Sequence, residues 1–261
     1  MKSLQIAATG MAAQQLRVDV ISNNIANMST AAYRPRVAEF SDLMYQQYLT
    51  PGTITSQVGT VVPAGIQIGT GVRPSTVSME ITQGGMRETG GELDLGIDGS
   101  GFLEVTLPSG ESAYTRDGKL NRSVDGQIVT MDGYPLADGI TIPADANKIT
   151  ISRDGEVVAY FSDQNEGQSI GTIQLVTFVN EKGLEAMGDN MFRETAASGA
   201  PTQVIAGTEG AGYIRQGYLE SSGVDVVKEI SDLIEAQRGY ELNSKVITAS
   251  DEMLAATTRL R

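Results

Sequence analysis

Aspartates that precede glycines are the residues in this sequence whose type and spacing most suggest chemistry. Six such pairs lie at residues 98–99, 117–118, 125–126, 132–133, 138–139 and 154–155. A calcium loop needs several oxygen ligands at alternate positions and a glutamate further on, whereas each of these aspartates stands nearly alone. Because Asp-Gly favours the positive φ angles of tight hairpins, the pairs predict turns rather than metal sites.

Two other patterns give weaker indications of a reaction. A Gly-x-x-Gly-x-Gly pattern at residues 96–101 resembles a phosphate-binding loop, but it precedes a predicted strand instead of a helix. Acidic pairs such as Asp94 with Asp98, or Glu104 with Glu111, are of the kind that hydrolyses glycosides. Nothing in the sequence places these pairs in a cleft, so we interpret them as solvated charges on turns and strands.

Composition narrows the possible chemistry further. The chain has no Cys and no His, which excludes disulfides, thiolate metal sites and the commonest general base. Residues 46–223 hold ten basic and 22 acidic side chains, a net charge of −12, and no basic cluster that could neutralise nucleic-acid phosphates. We therefore predict no catalytic residue, no metal, no cofactor and no nucleic-acid partner.

The elements around this middle are two terminal segments with apolar residues at seven-residue spacing, which predict helices over residues 3–31 and 224–260. One row near the start consists of Leu4, Met11, Val18 and Ile25, beside a second row of Ala7, Gln14, Ile21 and Met28. The row near the end consists of Val226, Leu233, Tyr240, Ile247 and Leu254, flanked by Val246, Met253 and Leu260. Ser222 and Asp225 are candidate caps of the second helix. The rows fit ordinary helices on one intrachain core, but their position at both extremes of the chain favours a seam between subunits.

Polar side chains interrupt the first apolar stretch at Gln14, Gln15, Arg17 and Asp19, so we predict neither a cleavable signal nor a membrane span.

Between the terminal helices, the sequence predicts a second short helix over residues 37–49. Dense Gly and Pro over residues 50–92 predict extended chain or edge hairpins. Residues 93–195 predict a compact antiparallel sandwich or barrel, with strands at 101–107, 112–116, 127–131, 148–152, 156–161 and 171–179.

Several blocks of the sequence resemble the bacterial flagellar rod and hook proteins. The block Leu4–Asn27 is similar to their N-terminal signature, and Gln216–Asn243 to their C-terminal helix signature. Ile97–Phe102 (IDGSGF) and Tyr114–Gly118 (YTRDG) resemble the markers of their central β-domain. Further stretches resemble the distal rod members of the family in particular, namely Val129–Leu136, Phe178–Asn190, Glu194–Pro201 and the Gly/Pro-rich stretch after Tyr45 that ends near Met86. The chain departs from the family pattern at Ala32-Tyr33, Leu103, Gly223 and Gly239, and we expect Gly239 to bend or loosen its helix.

The resemblance implies a structural subunit of the distal rod of the flagellar basal body, located from the periplasm to the outer membrane and serving flagellum-dependent motility. It would reach that location unfolded, through the flagellar type III export apparatus. Its termini would fold on assembly into a rigid helical homo-oligomer that transmits torque and conducts exported subunits. Its neighbours would be the proximal rod and hook proteins and the periplasmic and outer-membrane ring proteins.

The implied fold is α+β, with terminal helices that pair as a coiled coil, an extended Gly/Pro-rich segment and a central antiparallel β-domain. We expect three domains: residues 1–34 with 224–261, residues 35–95 with 200–223, and residues 96–199. The predicted self-assembly surface consists of Leu4, Met11, Val18, Ile21, Asn23, Asn24, Ile25, Asn27, Val226, Ile230, Leu233, Gln237, Tyr240, Asn243, Ile247 and Leu254. The segment that would distinguish a straight rod contains Pro51, Gly52, Pro63, Gly65, Gly69, Gly71 and Pro74.

Two alternatives remain at this point. Within the family, a proximal rod or hook subunit would share the terminal signatures. Outside it, a soluble β-rich enzyme or carbohydrate-binding protein with helical arms would share the composition.

Overall fold

The computed structural model describes residues 2–49, 65–162 and 166–259. It is an α+β structure with a helix at each end, α1 (Lys2–Ala26) and α2 (Val226–Arg259), and a β-rich middle. The first strands are β1 (Arg36–Asp42), β2 (Tyr45–Leu49), β3 (Ile66–Gly69), β4 (Val72–Met79), β5 (Met86–Glu88), β6 (Leu95–Asp98), β7 (Leu103–Thr106), β8 (Ser112–Thr115), β9 (Leu120–Arg122) and β10 (Ile128–Thr130). The others are β11 (Ala146–Ile151), β12 (Glu156–Phe161), β13 (Gln168–Thr172), β14 (Gln174–Thr177), β15 (Glu185–Gly188), β16 (Met191–Arg193), β17 (Thr202–Ile205), β18 (Tyr213–Gln216) and β19 (Tyr218–Glu220).

The chain divides into two compact units. The helical unit comprises Met1–Ala26, Arg36–Met79 and Asp225–Arg261, and the β unit comprises Asn27–Pro35 and Glu80–Val224. The structure thus groups residues 36–79 with the two helices. The three-domain division expected from the sequence stays a prediction.

In the helical unit, α1 and α2 pack on each other and the antiparallel pair β1–β4 packs on α1. The Asp225 carboxylate caps α2, since its Oδ1 accepts the N–H groups of Val227 at 3.0 Å and Lys228 at 3.2 Å. This confirms the predicted cap.

The helix predicted over residues 37–49 is wrong, because these residues form β1 and β2. Ala38 and Phe40 are half-buried while Val37 and Glu39 are exposed, which is the two-residue period of a strand. The partner strand β4 lies more than 30 residues further along the chain, from Val72 to Met79. A short sequence window therefore could not show the pairing that decides the structure.

The β unit is built from small antiparallel sheets around an aliphatic core that includes Ile97, Leu103, Val157 and Leu175. Its largest sheet has the order β15–β16–β8–β7, and β11–β12–β13 forms a second one. Strands lie at all six predicted places, with the predicted 171–179 strand beginning earlier and split into β13 and β14. Five of the six Asp-Gly glycines have positive φ, at residues 99, 126, 133, 139 and 155, which confirms the interpretation as turns there.

Candidate assembly surface

The two terminal helices meet through glycines and side-chain amides. A Cβ built on Gly10 would lie 2.9 Å from Nδ2 of Asn243, and a Cβ built on Gly239 would lie 3.1 Å from Cδ of Gln14. Each helix therefore offers a glycine to an amide of the other, and in each helix the glycine precedes its own amide by four residues. The absence of a Cβ at both positions lets the helices approach closely.

Polar and charged contacts continue the same seam toward both ends. Arg17 Nη2 lies 3.0 Å from Asp232 Oδ1 and 3.2 Å from Glu235 Oε2. Beyond it, the Asn24 amide donates to Glu229 Oε1 at 3.1 Å. At the opposite end, Ser3 and Ser250 are joined through their hydroxyls at 3.4 Å, so the two helices run antiparallel.

These intrachain contacts have a seven-residue spacing of their own, with small and polar members. On α1 it consists of Ser3, Gly10, Arg17 and Asn24, and on α2 of Glu229, Ala236, Asn243 and Ser250. The aliphatic rows noted in the sequence lie beside this seam. The contacts that join the helix pair are thus made largely by small and polar residues, and the aliphatic rows beside them keep part of their surface accessible.

The exposure of the predicted self-assembly residues reflects this arrangement. Of the sixteen, Ile21 and Asn24 are buried, and those exposed in the single chain are Asn23, Ile230, Gln237 and Tyr240. The half-buried ones are Leu4, Met11, Val18, Ile25, Asn27, Val226, Leu233, Asn243, Ile247 and Leu254. Asn27 belongs to the β unit, where its Oδ1 accepts the Thr30 hydroxyl at 3.2 Å.

A groove of 390 Å³ on the helical unit brings three of these residues together. Val18 of α1 lies there with Gln237 and Tyr240 of α2, and Gln15 and Glu241 complete the lining. The groove lies between the two helices, and its lining combines Val18 and the Tyr240 ring with three polar side chains. Such a surface is suited to receive an amphipathic helix.

Asn24 has a local role that the sequence analysis missed. Its amide donates to the Arg36 carbonyl at 2.8 Å and accepts the Arg36 N–H at 2.9 Å, so it holds the first residue of β1 against α1. A buried amide with both partners satisfied specifies one position for the strand. No sequence signal indicates this pairing, because the sequence places Asn24 only on the predicted self-assembly surface.

The structure describes part of the segment predicted to distinguish a straight rod, called here the rod-type segment. Gly65 precedes β3, Gly69 ends it, and Pro74 lies in β4 opposite Phe40, beside a bulge. Gly71 has a φ of 124°, and a Cβ there would lie 2.2 Å from Thr9 Oγ1, so only glycine lets the β3–β4 connection pass α1 this closely. Pro51, Gly52 and Pro63 lie outside the described residues.

Among the described residues of the acidic middle, the Asp138 carboxyl has a clearly perturbed pKa. Burial raises the pKa of Asp138 to about 6, the Gln174 N–H that its Oδ2 accepts at 3.3 Å opposes that rise, and Glu104 adds to it. Within the described ranges, no three acidic side chains come together in a way that could hold a metal ion. No helix in that part of the chain is both long enough and apolar enough to cross a membrane.

Comparison with known proteins gives consistent matches along the chain. Residues 4–34 match the model described as flagella basal body rod protein, residues 96–159 the flagellar hook protein FlgE/F/G D1 domain, and residues 215–260 the flagellar basal body rod FlgEFG protein C-terminal region. A flagellar basal-body rod protein FlgG of Caulobacter vibrioides is 52% identical over 100% of both chains. Proteins of the same description from Agrobacterium fabrum, 46% identical over 99% of each chain, and from Borreliella burgdorferi, 41% identical over 100% of this chain and 99% of the other, are also similar.

Proposed function

Because the chain belongs to the family of bacterial flagellar basal-body rod proteins, and is a structural rod subunit rather than an enzyme, we propose that it builds the distal rod by helix-to-helix assembly. In the assembled subunit the polar seam joins the terminal helix pair, and neighbouring copies cover the apolar rows. The polymer is a helical homo-oligomer in which the two terminal helices pack as a coiled-coil layer. The localisation, the flagellar basal body, follows from the family.

The observation that carries this proposal is that different residues of the two helices make the intrachain contact and form the exposed apolar surface. Small and polar residues make the intrachain contact, whereas Ile230 and Tyr240 keep 47% and 44% of their surface exposed. Tyr240 lines the groove, and apolar side chains that stay exposed along a helix are typical of a protein interface. The occupant that fits is a second copy, because each chain supplies both the groove and a helix with an apolar row.

The proposal extends to the proteins that neighbour this subunit in the basal body. The proximal rod and hook proteins would continue the same helical packing at the two ends of the polymer. The periplasmic and outer-membrane ring proteins would surround the acidic middle, and the flagellar type III export apparatus would deliver the subunits. The terminal helical domain, the connecting domain and the central β-domain would form successive layers from the channel outward, with the rod-type residues Gly65, Gly69, Gly71 and Pro74 in the connecting layer.

A test uses the absence of cysteine from the chain. A single Gln237→Cys substitution places one thiol at the groove, so a disulfide can form only between two subunits. We expect oxidation of isolated rods to give covalent dimers, or adducts with a thiol placed at Gln15 of a second copy. The control is Lys245→Cys, which is equally exposed on α2 but does not line the groove. Equal cross-linking at both positions would contradict assembly through the groove.

A further inference from the structure

Arg116 is a fully buried arginine in the β unit, and its guanidinium is enclosed by backbone carbonyls and one carboxylate. Nη1 donates to the Gly101 carbonyl at 2.7 Å, and Nη2 donates to the carbonyls of Gly99 at 3.0 Å and Ile97 at 3.2 Å. Nε and Nη2 both donate to Glu220 Oε2, at 2.9 and 2.8 Å. All three nitrogens of the planar guanidinium therefore donate hydrogen bonds, to carbonyls on one side and to the carboxylate on the other, and a lysine could not reproduce this arrangement.

This arginine explains why two of the marker blocks fit each other. Arg116 is the centre of the YTRDG block, and all three carbonyls come from the IDGSGF block. Gly99 and Gly101 have φ angles of 118° and 133°, which only glycine adopts without strain. The glycines therefore turn the backbone so that its carbonyls point at the guanidinium.

Glu220 extends the cluster to two further segments of the β unit. Its Oε1 accepts the Gly84 N–H at 3.1 Å and lies 3.8 Å from Arg34 Nη2, and its backbone carbonyl accepts the Ala32 N–H at 2.9 Å. Arg34 also donates to the Thr82 carbonyl. One carboxylate thus joins residues 27–35, residues 80–85 and β19.

These segments are the places where the chain leaves the β unit. The chain passes between the two units after residues 26, 35, 79 and 224. Within the β unit, the Glu80 N–H donates to the Pro35 carbonyl at 2.8 Å, and the Gly223 N–H donates to the Tyr33 carbonyl at 3.0 Å. The three segments from which the four passages start, residues 27–35, residues 80–85 and the end of the β unit, are therefore bound to one another in the same small region.

The backbone around the Glu220 cluster is tightly packed at two positions. Ala32 is held at a φ of 53°, a left-handed conformation that a residue with a Cβ keeps only when its surroundings impose it. A Cβ on Gly223 would lie 3.0 Å from the Thr82 carbonyl oxygen, so a side chain there would require the neighbouring backbone to move by a few tenths of an ångström. Both positions are among those where the sequence departs from the family pattern.

We propose that Arg116, Glu220 and Arg34 form a mechanical joint that holds the four chain passages as one body. A load applied to the β unit is then shared by all four passages instead of straining them one at a time. A buried polar network whose members are all satisfied is rigid, which suits this role. The inference rests on the proposed function, because only a rod subunit has to carry torque.

The first test measures hydrogen exchange in the purified full-length chain. Glu220→Gln and Arg116→Lys keep the size or the charge but break the fork, and the control Asp98→Asn breaks an exposed ion pair with Arg215 in the same unit. We expect the amides of Ala32, Gly84 and Gly223 to exchange at least about 10-fold faster in both variants, while those of the β7–β8 pair and of the control stay unchanged. Unchanged exchange at the three amides would overturn the proposal. Uniformly faster exchange throughout the β unit would also overturn it, since the cluster would then serve only general stability.

The second test measures how cells that carry the variants swim under low and high mechanical load. Cells that carry either variant should assemble rods in wild-type numbers and swim in dilute medium, but they should lose filaments or stop in viscous medium. Wild-type swimming at high viscosity would overturn the joint, and so would variants whose rods never assemble, because the cluster would then act in assembly. If the unsubstituted chain itself failed to enter rods, the proposed function would fail, independently of the variants.

Discussion

Replacing Ile230 by Asp separates the stability of the single chain from the strength of assembly. Ile230 is 47% exposed in the single chain, so we expect the loss of its covered half to lower the free energy of unfolding by only about 1 kcal/mol. In the polymer, covering the exposed half of an isoleucine contributes about 1 kcal/mol. A carboxylate buried there without a partner costs about 3 kcal/mol more.

Together these effects remove about 4 kcal/mol per subunit contact, which corresponds to a roughly 1,000-fold higher concentration for polymerisation. Sedimentation over a concentration series measures that shift, and thermal unfolding followed by circular dichroism checks the monomer. Cells carrying the variant should lack rods and should not swim. Leu233→Asp, in the half-buried row beside the seam, should act in the same direction.

Val227→Asp is the matched control, since Val227 lies in the same first turns of α2, is 80% exposed and lies outside the predicted assembly surface. It should polymerise at the wild-type concentration. The reasoning fails if Ile230→Asp polymerises as readily as the wild type, or if the control blocks assembly to the same extent.

Three further predictions concern the seam, the acidic middle and the termini. Gly239→Ala should raise the free energy of unfolding by up to about 1 kcal/mol, because Ala has the higher helix propensity. The new Cβ meets only the flexible side chain of Gln14, which can move aside. A lower free energy of unfolding, measured by urea denaturation, would show that the seam cannot adjust. The pKa of Asp138 is raised in the folded state from 3.8 to about 6, so its contribution to stability is present below pH 4 and is lost as the pH rises through 6. Asp138→Asn should remove that loss, at most about 3 kcal/mol and less because the carboxyl is partly solvent-accessible, and unfolding curves that keep the same pH dependence would contradict this. Limited proteolysis of the monomer should remove roughly the first 30 to 45 and the last 30 to 40 residues before the β unit is cut, and equal resistance throughout would contradict folding on assembly.

The terminal helices and most strands of the middle could be predicted from the sequence because their signals are local. Seven-residue apolar spacing, an aspartate cap and Asp-Gly turns act over a few residues, and Asp225 and Gly126 occupy the predicted roles. The strand at residues 36–42 could not be predicted, since its partner lies beyond residue 70 and only the pairing fixes its conformation.

The candidate surface was predictable only in part, because the sequence shows which residues are apolar but not which face the partner helix occupies. Gln14 interrupted an apolar row and Gly10 suggested a close approach, yet neither revealed that the intrachain seam is the small and polar one. Gly239 was expected to loosen its helix, whereas α2 continues through it and uses the space for an amide. Arg116 gave no signal of its own, since its carbonyl partners lie 15 to 19 residues away.

The antiparallel seam also has an electrical consequence. The peptide dipoles of a helix sum to roughly half an elementary charge at each end, positive at the start and negative at the finish. With 25 residues in α1 and 34 in α2 running in opposite directions, most of that dipole cancels within one subunit. A tube lined by many such pairs would not build up an axial field from its own backbone, so an unfolded chain passing through the channel would meet no electrostatic trap from the helices around it.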